Sequence, residues 1–117
     1  MADETADHLE EALGLIYDAI SLNNKGMRAN PSKEEKRRLM KRRARLEAER
    51  ADLEGLLDAM ADGEDIGVTP PTPEQVKAIA DLTAQVEQQT RAAVTASAVL
   101  ALTGQVLDLA IALTADV

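Results

Sequence analysis

Apolar residues recur with helical spacing over three stretches of the chain. In the first, about residues 3–22, Leu9, Ala12, Leu13, Ile16, Ala19 and Ile20 follow the i, i+3, i+4, i+7 pattern of one helix face. Asn23, Asn24, Lys25 and Gly26 predict its end, because Asn and Gly tolerate the left-handed backbone found at helix C-termini. The second stretch, 33–61, opens on Ser32 with Glu35 three residues on, the signature of a capping box. Leu39, Leu46, Leu53 and Met60 recur in it every seven residues, with Leu56 and Leu57 widening the stripe. Charges fill most of the gaps, so the apolar seam is thin, as in a coiled coil. The third stretch restarts at Thr72-Pro73-Glu74-Gln75, where Thr caps, Pro takes the first helical position and Gln75 completes the box. No Pro interrupts it to about residue 115 and Gly104 is its one Gly, so it reads as a single helix of about 65 Å.

Loops at about 23–32 and 62–71 allow antiparallel neighbours. The expected architecture is therefore all-α and a single domain over residues 1–117. It has three helices, the second and third forming a long coiled-coil-like antiparallel hairpin braced by the shorter first.

The third helix poses a problem for that arrangement. Ile79, Val86, Ala93, Leu100 and Leu107 form one seven-residue series, and Thr83, Thr90, Ser97, Gly104 and Ile111 its companion. After Arg91 the character changes: Ala92–Leu107 carries no charge, and Val99, Leu102, Val106, Leu109 and Leu113 add an apolar stripe on another face. A helix apolar on more than one side must be covered on more than one side. The second helix flanks only the part up to about Ala101, so those five residues are expected to form an interface. Self-association is the favoured cover, with a dimer the expected order; a separate protein partner and coverage by the first helix in a monomeric bundle are the alternatives. A stable membrane span is disfavoured, since the uncharged run is shorter than about 20 residues and Asp108 follows it. Conditional insertion of residues 92–113, as in a pore-forming helical protein, remains a further alternative.

Composition reinforces the helical reading. Apolar residues make up 45% of the chain, and they are nearly all aliphatic: there is one Tyr and no Phe, Trp or Cys. Ala and Leu favour helix over strand. The formal charge is −8, but it is unevenly placed. Lys33–Arg50 holds nine Lys/Arg and four Glu, whereas both flanking regions are acidic. Lys33, Arg37, Arg38, Lys41, Arg42 and Arg45 are the candidate charged surface. It reads as an ion-paired solvated face, with Glu34–Arg38 and Glu47 paired at helical spacing, or as a face that meets the acidic ends of the first helix or of a second subunit. A nucleic-acid regulator acting through residues 33–50 is the weaker reading, because the chain is acidic overall and lacks aromatics for base stacking.

Candidate chemistry is sparse. His8 lies near Glu4, Asp7 and Glu11, but neither Glu-x-x-His motif of a bundle di-iron site occurs. Asp62, Glu64 and Asp65 lack the alternation and terminal Glu of a calcium loop. Asp108 is expected to face water beside Gln105. No phosphate-binding glycine loop or nucleophile motif is present. The sequence thus implies a non-enzymatic protein–protein interaction module without cofactor, catalytic residue or metal: an adaptor, an assembly component or an inhibitor-type protein. Its acidic first residues lack a signal-peptide pattern, and a cytoplasmic location is the corresponding expectation.

Overall fold

A computed structural model describes residues 3–63 and 67–115. It contains four helices: α1 (Asp3–Met27), α2 (Lys33–Ala61), α3 (Pro73–Arg91) and α4 (Ala96–Thr114). The described residues contain no strand, so the all-helical class holds while the number of helices is four.

Both capping boxes form. Ser32 N donates to Glu35 Oε1 at 2.9 Å while Glu35 N donates to Ser32 Oγ at 3.1 Å. Thr72 and Gln75 repeat the exchange at 2.9 and 3.1 Å. The end of α1 comes one turn later than expected: Asn23 and Gly26 stay helical, and the left-handed residue is Asn30, at φ 50°. Asn23 is fully buried, and its Nδ2 donates to the Leu39 carbonyl of α2 at 2.9 Å. Packing between helices, not the local preference of Asn, decides that turn.

The long third helix does not exist as one rod. It breaks at Ala92–Thr95 and reverses. Lys25 of α1 closes the C-terminus of α3 by donating to the carbonyls of Gln89 (3.2 Å), Thr90 (2.7 Å) and Ala92. Thr95 Oγ1 opens α4 by accepting from Ala98 N at 3.1 Å. The reversal takes eight α4 residues into the core, among them Val99, Leu102, Val106, Leu107 and Leu113. At about 1.5–3 kcal/mol per buried Val or Leu side chain, those five contribute roughly 8–15 kcal/mol. The helical hydrogen bonds lost at the break are partly replaced by Lys25 and Thr95, so reversal outweighs continuity.

The helices form a ring in the order α1, α2, α4, α3, with α1 and α4 also touching across its short diagonal. α2 and α3 do not touch, so the expected hairpin of these two helices is absent; α1 and α4 each pack against all three others, so α1 is more than a brace. The pairing of Asn23 with Leu39, Lys25 with Gln89 and Arg42 with Leu100 fixes the directions. α1 and α3 run one way, α2 and α4 the other. At about 1.5 Å per residue, α2 spans nearly the full 46 Å length. The core is aliphatic throughout: Leu9, Leu15, Ile16 and Leu22 from α1 meet Leu39, Leu46 and Leu53 from α2, Ile79 and Val86 from α3, and the α4 stripe.

Candidate functional site

The five residues expected at an interface lie mostly inside the chain. Val99, Leu102, Val106 and Leu113 belong to the core, and Leu109 is half-buried against it. Their expected exposure followed from a continuous third helix. Once α4 folds back, α1, α2 and α3 cover it on three sides. The apolar stripe is thus no surface of the folded chain, and a surface must be sought among the polar positions.

The charged face of α2 supplies one. Lys33, Arg37, Arg38, Lys41 and Arg45 are exposed, and Arg42 is half-buried. Leu39, Leu46 and Leu53 hold one stripe of the helix against the core, and the 3.6-residue period then carries Arg38, Arg42 and Arg45 onto the flank facing α4. There they line a groove of about 510 Å³ with Glu35, Lys41, Leu100 and Ala101.

Arg42 ties the two walls together. Its Nη1 donates to the Leu100 carbonyl at 2.7 Å and to Thr103 Oγ1 at 3.0 Å. Thr103 Oγ1 in turn donates to the Val99 carbonyl at 2.7 Å. Gly104 leaves the guanidinium its path, since a Cβ there would lie 2.9 Å from Arg42 Nη1. Burial between the helices pushes the Arg42 guanidinium below its ordinary value; Asp108 opposes this, and Arg45 and Arg38 add to it. Among the described residues none of Arg38, Lys41, Arg42 and Arg45 is within ion-pair distance of a carboxylate. The expected Glu34–Arg38 pair is absent, whereas Arg43–Glu47 forms at 3.2 Å. The groove thus carries four cations to one carboxylate, Glu35, over a short apolar floor.

On the opposite side of the ring, α1 and α3 enclose a groove of about 480 Å³ lined by Glu11, Asp18 and Glu87, with Gly14, Ala80 and Ala84 between them. Partial burial, and then the charge of Glu87, raise the Asp18 carboxyl above its ordinary value. Sequence reasoning missed this face, because its acids come from helices whose pairing the sequence did not suggest.

The remaining candidates are local. His8 Nδ1 lies 4.0 Å from Glu11 Oε2, and no group of three potential metal ligands occurs among the described residues. Glu64 and Asp65 of the calcium-loop comparison lie outside the described residues. Asp108 and Gln105 are both exposed. The Tyr17 hydroxyl donates to Glu54 Oε1 at 2.6 Å beside Arg50, and these two neighbours hold the Glu54 carboxyl below its usual range. No family model, curated protein or solved structure matches the chain.

Proposed function

We propose that this chain works by binding, as a non-enzymatic protein-interaction module whose α2–α4 groove takes an acidic protein surface. The observation that carries the reading is the set of four unpaired cations, Arg38, Lys41, Arg42 and Arg45, around an apolar floor of Leu100 and Ala101. Four cations crowd there against one lining carboxylate, Glu35, with which none of them forms an ion pair, so an acidic partner gains at the rim while small apolar residues meet the floor. Nucleic acid fits less well, because no aromatic side chain lines the groove for a base to stack on.

The test is fluorescence anisotropy with a labelled helical peptide of Glu, Ala and Leu that carries its Glu residues on one face. Binding at low salt that weakens as salt rises is expected. Arg38→Glu with Arg45→Glu should lower affinity about tenfold or more, since rim charges contribute roughly 0.2–1 kcal/mol each and reversal turns attraction into repulsion. Equal binding by this variant, or tighter binding of duplex DNA than of the peptide, refutes the reading.

A second reading rests on α4, which is long and apolar enough to cross a membrane, with a mean hydropathy of 1.8. Eight of its residues form the core, so insertion requires the bundle to open. Dye release from anionic liposomes supports this reading; intact liposomes at neutral and mildly acidic pH remove it.

A further inference from the structure

The ring order makes the two charged grooves opposite faces of one molecule. The α1–α3 face carries Glu11, Asp18 and Glu87; the α2–α4 face carries Arg38, Lys41 and Arg45, which outnumber its one lining carboxylate, Glu35. Neither Asp18 nor Glu87 lies within ion-pair distance of a cation among the described residues, and Glu11 has only His8, at 4.0 Å. The faces also match in relief. Gly14, Ala80 and Ala84 floor one, and Ser97 and Ala101 line the other. These short side chains stand beside Leu100 in one groove and Leu15 and Ile79 in the other, while the longer charged ones lie at the rims.

From this we infer that the acidic surface recognised by the α2–α4 groove is the α1–α3 face of a second copy of this chain, docked head to tail. The inference rests on the binding reading above and names its partner. Helix direction supports it. A copy displaced across the width of the bundle sets its α1 and α3 antiparallel to the α2 and α4 that they meet. That is the relation the same two layers already have inside the molecule. Antiparallel layers also bring helix ends of opposite partial charge together.

The net charge of −8 works against association, but over a longer distance. Molecular centres in such a stack are separated by about the 18–23 Å width of the bundle, whereas rim charges meet within a few ångströms. With a screening length of about 8 Å at physiological ionic strength, the repulsion is damped more than the contacts. Self-association is therefore strongest at moderate salt and falls on either side. Because the two faces differ, the contact is heterologous, and copies add until a ring closes or a filament grows.

Sedimentation velocity of the full chain over a wide concentration range tests this with two variants. Arg38→Glu/Arg45→Glu spoils the basic face, and Glu11→Lys/Glu87→Lys spoils the acidic one. All four positions are exposed, and circular dichroism checks that each variant keeps its helices. The parent chain should sediment as a concentration-dependent series of multiples, and each variant alone as a monomer. An equimolar mixture of the two should associate again, because the reversed groove of one complements the reversed face of the other. Both variants remain net negative, so bulk attraction cannot mimic that rescue.

A monomeric parent at all concentrations and salts overturns the inference, as does a mixture that stays monomeric. If the labelled acidic peptide still binds the parent in either case, the binding reading stands and only the identity of the partner falls. If the peptide fails as well, both fall together.

Discussion

Gly26→Ala tests the contact on which the whole arrangement depends, the approach of α1 to α4 across the short diagonal. A Cβ built at Gly26 lies 3.0 Å from Val99 Cγ1, 3.1 Å from Val99 Cβ and 3.3 Å from Leu39 Cδ2. Two effects of opposite sign compete. Removing a glycine from a helix contributes about 1 kcal/mol in favour of folding. Adding a methyl to a filled core costs about 1–3 kcal/mol, because neighbours must leave their rotamers or helices must separate. Here the obstacle is a β-branched side chain in a helix, held near one rotamer and fully buried, so it yields little. The cost should win, leaving Gly26→Ala less stable by about 1 kcal/mol, or roughly 4 °C in Tm for a domain of this size. Urea unfolding followed by circular dichroism reads it directly. Val99→Ala alone should destabilise by about 2 kcal/mol or more, as buried truncations do. In the double variant the Cγ1 contact is gone while the Cβ and Leu39 contacts stay, so the two costs should fall short of adding by about 1 kcal/mol. Gly26→Ala more stable than the parent by the propensity gain, with strict additivity in the cycle, would show that the helices are not in close contact there.

Three further outcomes follow from the hydrogen bonds and charges. Lys25→Met keeps the aliphatic stem but removes the ammonium from the α3 carbonyls, and should cost about 1–2 kcal/mol in chemical unfolding. Thr95→Ala removes the cap that opens α4 and should cost about 1 kcal/mol, with amide exchange quickening at Ala96–Ala98 before it does in α2. Asp18→Asn acts with the opposite sign. The folded chain holds the Asp18 proton more tightly than the unfolded chain does, so ionisation of Asp18 opposes folding. Stability is lost as pH rises from 3.8 to the raised value, and stays lost above it. The substitution should therefore raise Tm at neutral pH by the equivalent of about 0.3 kcal/mol, the size of an exposed like-charge pair. The difference between variant and parent should vanish near pH 3, and an unchanged difference from acid to neutral pH would contradict the assignment.

The elements themselves were legible where local chemistry decides them. Ser32–Glu35 and Thr72–Gln75 announce the starts of α2 and α3 through two side chains each, three residues apart. Leu39, Leu46 and Leu53 name the buried stripe of α2 without reference to any other helix. The break at residues 92–95 was not legible in the same way, because neither Gly nor Pro marks it. Its causes lie far off in sequence: Lys25, which receives the end of α3, and the face of α1 on which Gly26 lies against Val99. One signal was present and its meaning inverted. Loss of charge after Arg91 marks the point where the chain passes from the surface into the core, and on a single rod it reads as an exposed apolar end. The basic groove was half legible, since α2 displays its cations in one run while the α4 wall depends on the reversal.

Moving the apolar stripe from surface to core changes the strength of interaction that this chain can support. A stripe of five exposed Val and Leu residues would sustain a tight dimer through burial alone. The surface that remains offers Arg and Lys rims against Asp and Glu, at roughly 0.2–1 kcal/mol for each solvated pair, with floors no larger than Leu100 and Ala101. A handful of such pairs, after the cost of holding two molecules together, leaves a single contact in the micromolar to millimolar range. Under the inferred self-docking, contacts of that strength would become stable when a ring closes. Each added copy of a two-faced molecule meets a surface already held in place, and closing a ring makes the last contact intramolecular. An interior aliphatic core and opposed charged faces are thus consistent with the inferred weak, salt-tuned docking, in which an assembly would be held by ring closure rather than by any single interface.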